Sequence, residues 1–514
     1  MATSLVRGKY VVTGVVDDNA SDVTADGAVV QRDGEIVDVG RYQDLAARHS
    51  VDEVIGDGRQ VLMPGLINAH HHGGLTPFQM GSLDLALEPW IVTRMAHRDV
   101  DTYLDTLYCA IQMIESGITT VMHNHTGRRA PGESAMDSCT QALKAYRDSG
   151  MRVAFSLFHR DQNQLVYGES RDFLASLPPE LASKLGDRLG GQGMSTDEYL
   201  ALFIELYERY GRNDPQGLVR ILLSPANVQW CSDDLLMAIK ETAGSHDAGI
   251  HLHLQETIYQ LMYGLRRFGK TPLGHLDELG FLGPEVSFAH GVWLEESDID
   301  ILAASGSLVC HNASSNLRLK SGVAPINKLV ASGVPVAIGI DEAGINDDND
   351  MLQEMRLVQK LHREPGVDGP CLTSHQVLRM ATVNGAEASR FGGQVGALEP
   401  GMRADMILVN LDRIAEPYLD PGTDPVDAVL YRGRGLDVDT VIVNGQVVMR
   451  DRRITMVSKD DVYAELGAQL ARDPAPHEAA RRPLSKELSP YIHRFYQRWP
   501  LEPGEPHWLY NRAR

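Results

Sequence analysis

The chain has 514 residues, more than one typical domain holds, so a barrel-sized domain with an accessory module is the natural expectation. Its 43% hydrophobic and 23% charged content is that of an ordinary soluble globular protein. A net charge of −21 argues against nucleic acid and anionic membrane as partners, because both need a basic patch.

Five scattered cysteines (Cys109, Cys139, Cys231, Cys310, Cys371) include no C-x-x-C pair. They read as free thiols in a reducing compartment. Met1–Tyr10 has no apolar signal stretch and no run approaches the length of a membrane span, so the expected location is cytoplasmic.

Residues 8–61 read as short strands rich in β-branched residues, with Asp33-Gly34 as a hairpin turn. From 62 to about 341, apolar strands alternate with amphipathic helical runs. The strand candidates are Val61–Ala69, Ile118–Asn124, Met151–Phe158, Leu218–Ser224, Gly249–Leu254, Val286–His290, Ser307–His311 and Val334–Asp341. Strands of this kind, apolar on both faces and mostly followed by a helix, describe an α/β fold of the (β/α)8 TIM-barrel type. A doubly wound sheet is the competitor, but the Gly-rich turn that usually follows its first strand is missing. Gly396–Asn410 and Thr440–Arg450 return to strand character and are expected to rejoin the N-terminal strands. The expected organisation is a small β-sandwich split between residues 1–63 and 395–471, a barrel over 64–394, and a C-terminal arm over 472–514.

In such a barrel, chemistry sits at the C-terminal ends of strands. Pro64-Gly65-Leu66-Ile67-Asn68-Ala69-His70-His71-His72-Gly73-Gly74 ends the first strand with His70 and His72 on one face and His71 on the other. The fifth strand ends His251-Leu252-His253-Leu254-Gln255-Glu256, the sixth at His290 and the eighth at Asp341. A surface cluster or polar strand end explains any one of these. Four strand ends delivering imidazoles and carboxylates toward one mouth point instead to a metal centre. His251 lies a layer deeper than His253 and reads as a hydrogen-bonded interior histidine. His123 and His125, again paired at i and i+2, could form a second metal site, bind substrate or simply line the interior.

Several stretches together resemble the amidohydrolase superfamily, in its branch of cytosine, guanine and adenosine-type deaminases and triazine chlorohydrolases. They are the Pro64–His72 segment, Ser116-Gly117-Ile118-Thr119-Thr120-Val121, His253-x-x-Glu256, Ala289-His290, Asn312-Ala313-Ser314-Ser315-Asn316 and Gly396–Asp405. The resemblance implies His70, His72, His253 and Asp341 as ligands of one divalent cation, Zn²⁺ first and Fe²⁺ second. It implies Glu256 as proton shuttle and His290 as the group that orients the water or polarises the substrate. With no lysine in Leu218–Trp230 to bridge a second metal, a mononuclear centre is expected. The cation lowers the pKa of its water toward ~7, and Asp341 can accept the proton.

Trp90, His125, Arg160, Asn316 and Glu342 are the candidate substrate-binding residues. Arg318 departs from the family by replacing a lysine, and Asp341-Glu342-Ala343 replaces its usual Thr-Asp-Gly context. The expected activity is hydrolysis of a C–N bond, foremost deamination of a purine, pterin, pyrimidine or triazine. Dechlorination, N-dealkylation or cyclic-amide opening is the alternative chemistry, and a non-catalytic scaffold is the rival of another class. The expected partners are a small-molecule substrate and a second copy of the chain, as a homodimer or larger homo-oligomer.

Overall fold

The computed structural model of the chain describes residues 3–126, 132–189 and 193–499. Five strands come first: β1 (Thr3–Asp17), β2 (Ala20–Arg32), β3 (Glu35–Arg41), β4 (Glu53–Ile55) and β5 (Gln60–Pro64). Eight parallel strands follow: β6 (Leu66–His71), β7 (Ile118–His125), β8 (Arg152–His159), β9 (Val219–Pro225), β10 (Ile250–Leu254), β11 (Val286–His290), β12 (Leu308–His311) and β13 (Val336–Ile338). They pair in chain order, and Asp341 N–H donates to His70 O at 2.9 Å to bring the last against the first. The result is a nearly closed (β/α)8 barrel.

The ends of the chain meet in the other sheet, which has nine strands. There β14 (Met406–Asn410) pairs antiparallel with β5 and with β15 (Val438–Val443), and β16 (Gln446–Arg450) and β17 (Arg453–Ile454) complete it. The expected strand Val61–Ala69 is therefore two strands in two sheets. The break falls at Gly65, whose N–H donates to Asp405 O at 3.0 Å. A Cβ there would lie 2.2 Å from Thr119 Oγ1, so only glycine lets the chain cross so close to β7. The last barrel strand is also shorter than expected, because the chain leaves the ladder at Gly339 to turn Asp341 inward.

The core is contiguous from sheet to barrel, with Val61, Met63, Leu66, Ile118 and Val121 packed together at the junction. Helix Pro476–Gln497 lies against helix Leu87–Arg94, where Ser485 Oγ donates to Val92 O at 2.7 Å. Of the expected C-terminal arm, residues 500–514 lie outside the described residues. All five cysteines are free, and four are buried. No described helix is long and apolar enough to cross a membrane.

Candidate active site

The strand ends place five side chains in one buried cluster. His72 Nδ1 lies 3.0 Å from Asn124 O, and His253 Nδ1 lies 2.8 Å from Ala226 O. A carbonyl only accepts, so each Nδ1 carries the proton and each Nε2 a lone pair. Those two Nε2 atoms face one another at 3.2 Å.

His70 is fixed in the same sense. Its Nδ1 meets His251 Nε2 at 2.7 Å, His251 Nδ1 meets Ser287 Oγ at 2.8 Å, and that hydroxyl donates to Ile250 O at 3.4 Å. With each proton pointing down this chain, His70 Nε2 is left bare. His251 is thus the support of His70, one layer below it.

Asp341 completes the cluster. Its Oδ2 accepts from Ser315 Oγ at 2.5 Å, and its Oδ1 stands 3.4 Å from Nε2 of both His70 and His72. His70 Nε2 and Asp341 Oδ1 are buried without a hydrogen-bond partner. The lone-pair atoms of His70, His72 and Asp341 therefore stand together with no proton between them, and that of His253 adjoins them through His72, an arrangement that a cation resolves. Tetrahedral bonds of ~2.0–2.1 Å place ligand atoms roughly 3.3–3.4 Å apart. The measured 3.2 and 3.4 Å fit that spacing. Three imidazoles and one carboxylate also match Zn²⁺ or Fe²⁺ in donor type.

Charge follows burial. Desolvation holds the imidazoles of His70, His72 and His253 neutral, with His72 pushed down to about 4 and His253 to about 3. Burial works against ionisation of Asp341 too, but the contacts with His70, His72 and His290 outweigh it and set its pKa well below the carboxylate range. Glu256 goes the other way: burial first, then the nearby Asp341 and Glu88, raise its pKa well above normal. That shift favours the protonated carboxyl, and its Oε2 stands 3.7 Å from His290 Nε2. The proton of His290 sits on Nδ1, donated to Asn316 Oδ1 at 2.9 Å.

These groups line the floor of a cavity of about 300 Å³, at the lower end of small-molecule sites. Trp90, Arg160 and Glu342 form part of its wall, with Arg94, Phe158 and Trp230. Arg94 is ion-paired to Glu342 at 2.5 Å and lies 5.1 Å over the ring of Trp90. Arg160 stacks 5.0 Å over Trp230, and burial lowers its pKa.

Two expected substrate residues lie elsewhere. Asn316 is behind His290, off the cavity wall. His125 borders a smaller cavity that adjoins the first across His72, Arg94 and Glu342, with its Nε2 bonded to Ser138 Oγ at 3.0 Å. His123 Nδ1 is engaged by Tyr146 at 2.9 Å, and among the described residues no third ligand joins the pair. Sequence reasoning passed over Ser315, Arg94, Trp230 and the carbonyls of Asn124 and Ala226. Ser315 stood inside a recognised motif; the carbonyls leave no mark in a sequence.

Three histidines and an aspartate clustered at the carboxyl rim of a (β/α)8 barrel, beside a buried glutamate of raised pKa, are the kind of residues a metal-dependent hydrolase uses. The chain belongs to the Amidohydrolase family, which it matches over residues 61–448. It is 31% identical over 475 residues to 5'-deoxyadenosine deaminase of Methanosarcina mazei, covering 90% of this chain and 97% of that one. It is 32% identical over 441 residues to 5-methylthioadenosine/S-adenosylhomocysteine deaminase of Syntrophobacter fumaroxidans, covering 85% and 91%. Among solved structures, a zinc-bound adenosine deaminase of Xanthomonas campestris superposes with a TM-score of 0.77 at 25% identity, over 91% of this chain and 97% of that one. The atrazine chlorohydrolase of Arthrobacter aurescens shares the fold, with a TM-score of 0.75 at 24% identity over 90% and 99% of the two chains.

Proposed function

We propose that this protein is a metal-dependent hydrolase that deaminates an aminated nitrogen heterocycle, with 5'-substituted or 5'-deoxy adenine nucleosides as the substrate class. The observation that carries the reading is the buried cluster of unpartnered His70 Nε2 and Asp341 Oδ1 with His72 and His253, beside the buried carboxyl of Glu256. The adenosine-type activities named for the relatives supply the substrate class.

His70, His72, His253 and Asp341 would hold a divalent cation, zinc in this reading, which would supply a water of lowered pKa. Asp341, facing the same point through Oδ1, is placed to take up a proton from the attacking water, whose oxygen adds to the amine-bearing ring carbon. Glu256 delivers its proton to the adjacent ring nitrogen, which makes the carbon a better electrophile. His290, its Nδ1 proton committed to Asn316, presents a lone pair that orients the attacking O–H. The proton held by Asp341 passes to the amine, Glu256 takes back a proton from the new hydroxyl as the C–N bond breaks, and ammonia leaves with the oxo-heterocycle as the other product. Because an amine is a poor leaving group, the reaction needs an acid beside a base, and the opposite pKa shifts of Glu256 and Asp341 suit those roles.

The test is ammonia release by zinc-loaded protein from a panel containing 5'-deoxyadenosine, 5-methylthioadenosine, adenosine, guanine, cytosine, a pterin and an aminotriazine. Turnover of the adenine nucleosides is expected. Zinc-loaded protein that releases no ammonia from any of them overturns the reading.

A further inference from the structure

Two groups of the site are held by neighbouring residues of one short helix, Ala313–Arg318. Ser315 Oγ donates to Asp341 Oδ2 at 2.5 Å, and Asn316 Oδ1 accepts from His290 Nδ1 at 2.9 Å. Successive residues of a helix are turned by a fixed angle, so any shift of this helix moves both supports together.

The helix starts without a cap of its own: the side chain of Asn312, at the N-cap position, makes no capping bond. Its opening N–H groups are buried and would otherwise lack acceptors. Glu354, reaching across from helix Met351–Leu361, takes that role. Its Oε1 accepts from the backbone N–H of Ser314 at 2.9 Å, its Oε2 is bonded to Ser314 Oγ, and its carboxyl also takes the backbone N–H of Ala313. Glu354 is only 1% exposed and is absent from the cavity wall, so it touches neither substrate nor reacting atoms. A carboxyl buried this deeply is costly, and one spent wholly on a helix start demands a return elsewhere.

We propose that Glu354 is a positioning residue: through Ser314 it sets the helix that aims Ser315 at Asp341 and Asn316 at His290. The proposal rests on the metal-hydrolase reading above. It separates Glu354 from an ordinary core contact, because its loss disturbs zinc binding and turnover while sparing the cavity wall. Groups bonded directly to a metal ligand, as Ser315 is to Asp341, carry effects of about 10–100-fold in metal affinity or activity, and this is the upper bound for Glu354, which acts on Ser315 through the helix.

The experiment compares Glu354→Ala, Glu354→Gln and Ser314→Ala with the wild type. It measures zinc affinity by chelator competition, kcat and KM for 5'-deoxyadenosine, and folded fraction by circular dichroism. Per folded molecule, Glu354→Ala is expected to lose up to about 10–100-fold in kcat and to bind zinc up to about 10-fold more weakly, with KM within about twofold. Glu354→Gln keeps an acceptor for the Ser314 N–H and offers a donor to its hydroxyl, so it restores most of both. Ser314→Ala removes one hydroxyl and is expected to cost a few-fold in kcat, about 1 kcal/mol. That variant decides the matter if Glu354→Ala does not fold.

Wild-type kcat and zinc affinity in folded Glu354→Ala, a loss confined to KM, a Glu354→Gln as impaired as Glu354→Ala, or an unaffected Ser314→Ala would each overturn the proposal. A parallel His253→Ala variant tells the two readings apart. Full activity there sinks the hydrolase assignment itself, whereas a null result confined to the Glu354 series sinks only the positioning role.

Discussion

The two ends of the barrel bury charge in opposite ways. Where the strands begin, Arg152 is fully buried, yet each guanidinium nitrogen is bonded. Nε and Nη2 fork onto Asp405 at 2.8 and 2.9 Å, and Nη1 donates to Gly217 O at 2.7 Å. Phe391 lies under the guanidinium at 5.1 Å. Where the strands finish, His70 Nε2 and Asp341 Oδ1 are buried as deeply and have no hydrogen-bond partner. Gln255, His290 and Asp341 there also adopt φ of 43°, 77° and 59°. Such conformations cost non-glycine residues about 1–3 kcal/mol each and persist at functional sites. A closed set of bonds holds the base of the barrel together; an open one at the rim leaves room for a ligand to complete it.

The contrast can be broken most forcefully at the rim. His253→Ala removes a ligand from the open cluster, and both zinc retention and ammonia release are expected to fall to background. A variant that turns over normally would leave the cluster without a function. Glu256→Gln should keep its zinc, since no ligand changes, while kcat falls by about 10²–10⁴-fold. Metal analysis alongside kinetics checks this, and a joint loss of zinc and kcat would place Glu256 among the ligands.

At the base, Arg152→Met leaves Asp405 buried and unpaired and is expected to cost about 3–5 kcal/mol of stability by denaturant unfolding. The kcat of the folded fraction should not change. Loss of kcat at unchanged stability would erase the distinction between the two ends.

Acid sharpens the comparison in metal-free protein. The buried imidazoles of His72 and His125, pushed down to about 4, and His253, at about 3, stay neutral in the fold but protonate near 6.5 when unfolded. Their contribution is complete above pH ~6.5 and is lost as pH falls toward about 4, by up to ~1.4 kcal/mol per group per pH unit. Glu88 and Glu354, raised by burial to about 7, act in the opposite sense, losing stability as pH rises from their ordinary value toward 7. Glu256, also raised by burial, joins these two carboxyls, but His70, His123, His251 and His362 are lowered as well, so the histidines outnumber the carboxyls and the melting temperature is expected to drop on acidification below pH ~6.5. A metal-free protein that grows more stable between pH 6.5 and 5 would contradict that balance.

Much of this was legible in the sequence, and the reason is periodic. Apolar runs alternating with helices give a barrel, and the barrel puts strand-end residues at one rim. Thus His70, His72, His253, His290 and Asp341 could be expected together before any coordinates. What stayed hidden depends on backbone or on distant packing. The break at Gly65 follows from the approach of Thr119, 54 residues on. The tautomers of His72 and His253 are set by carbonyls, which every residue carries. Of His159, Arg160 and Asp161, only Arg160 faces the cavity; His159 stacks on Tyr199 at 4.5 Å, and Asp161 accepts from Ser232 N–H at 2.8 Å. Glu354 looked like any glutamate on an amphipathic helix, because its partner lies 40 residues away across the fold.

Zinc-edge X-ray absorption on protein loaded with one equivalent of zinc tests the central claim most directly. The account expects three imidazole nitrogens and carboxylate or water oxygen at about 2.0–2.2 Å, and loss of this shell in His253→Ala. A shell containing sulfur, or the same shell in His253→Ala, would contradict it.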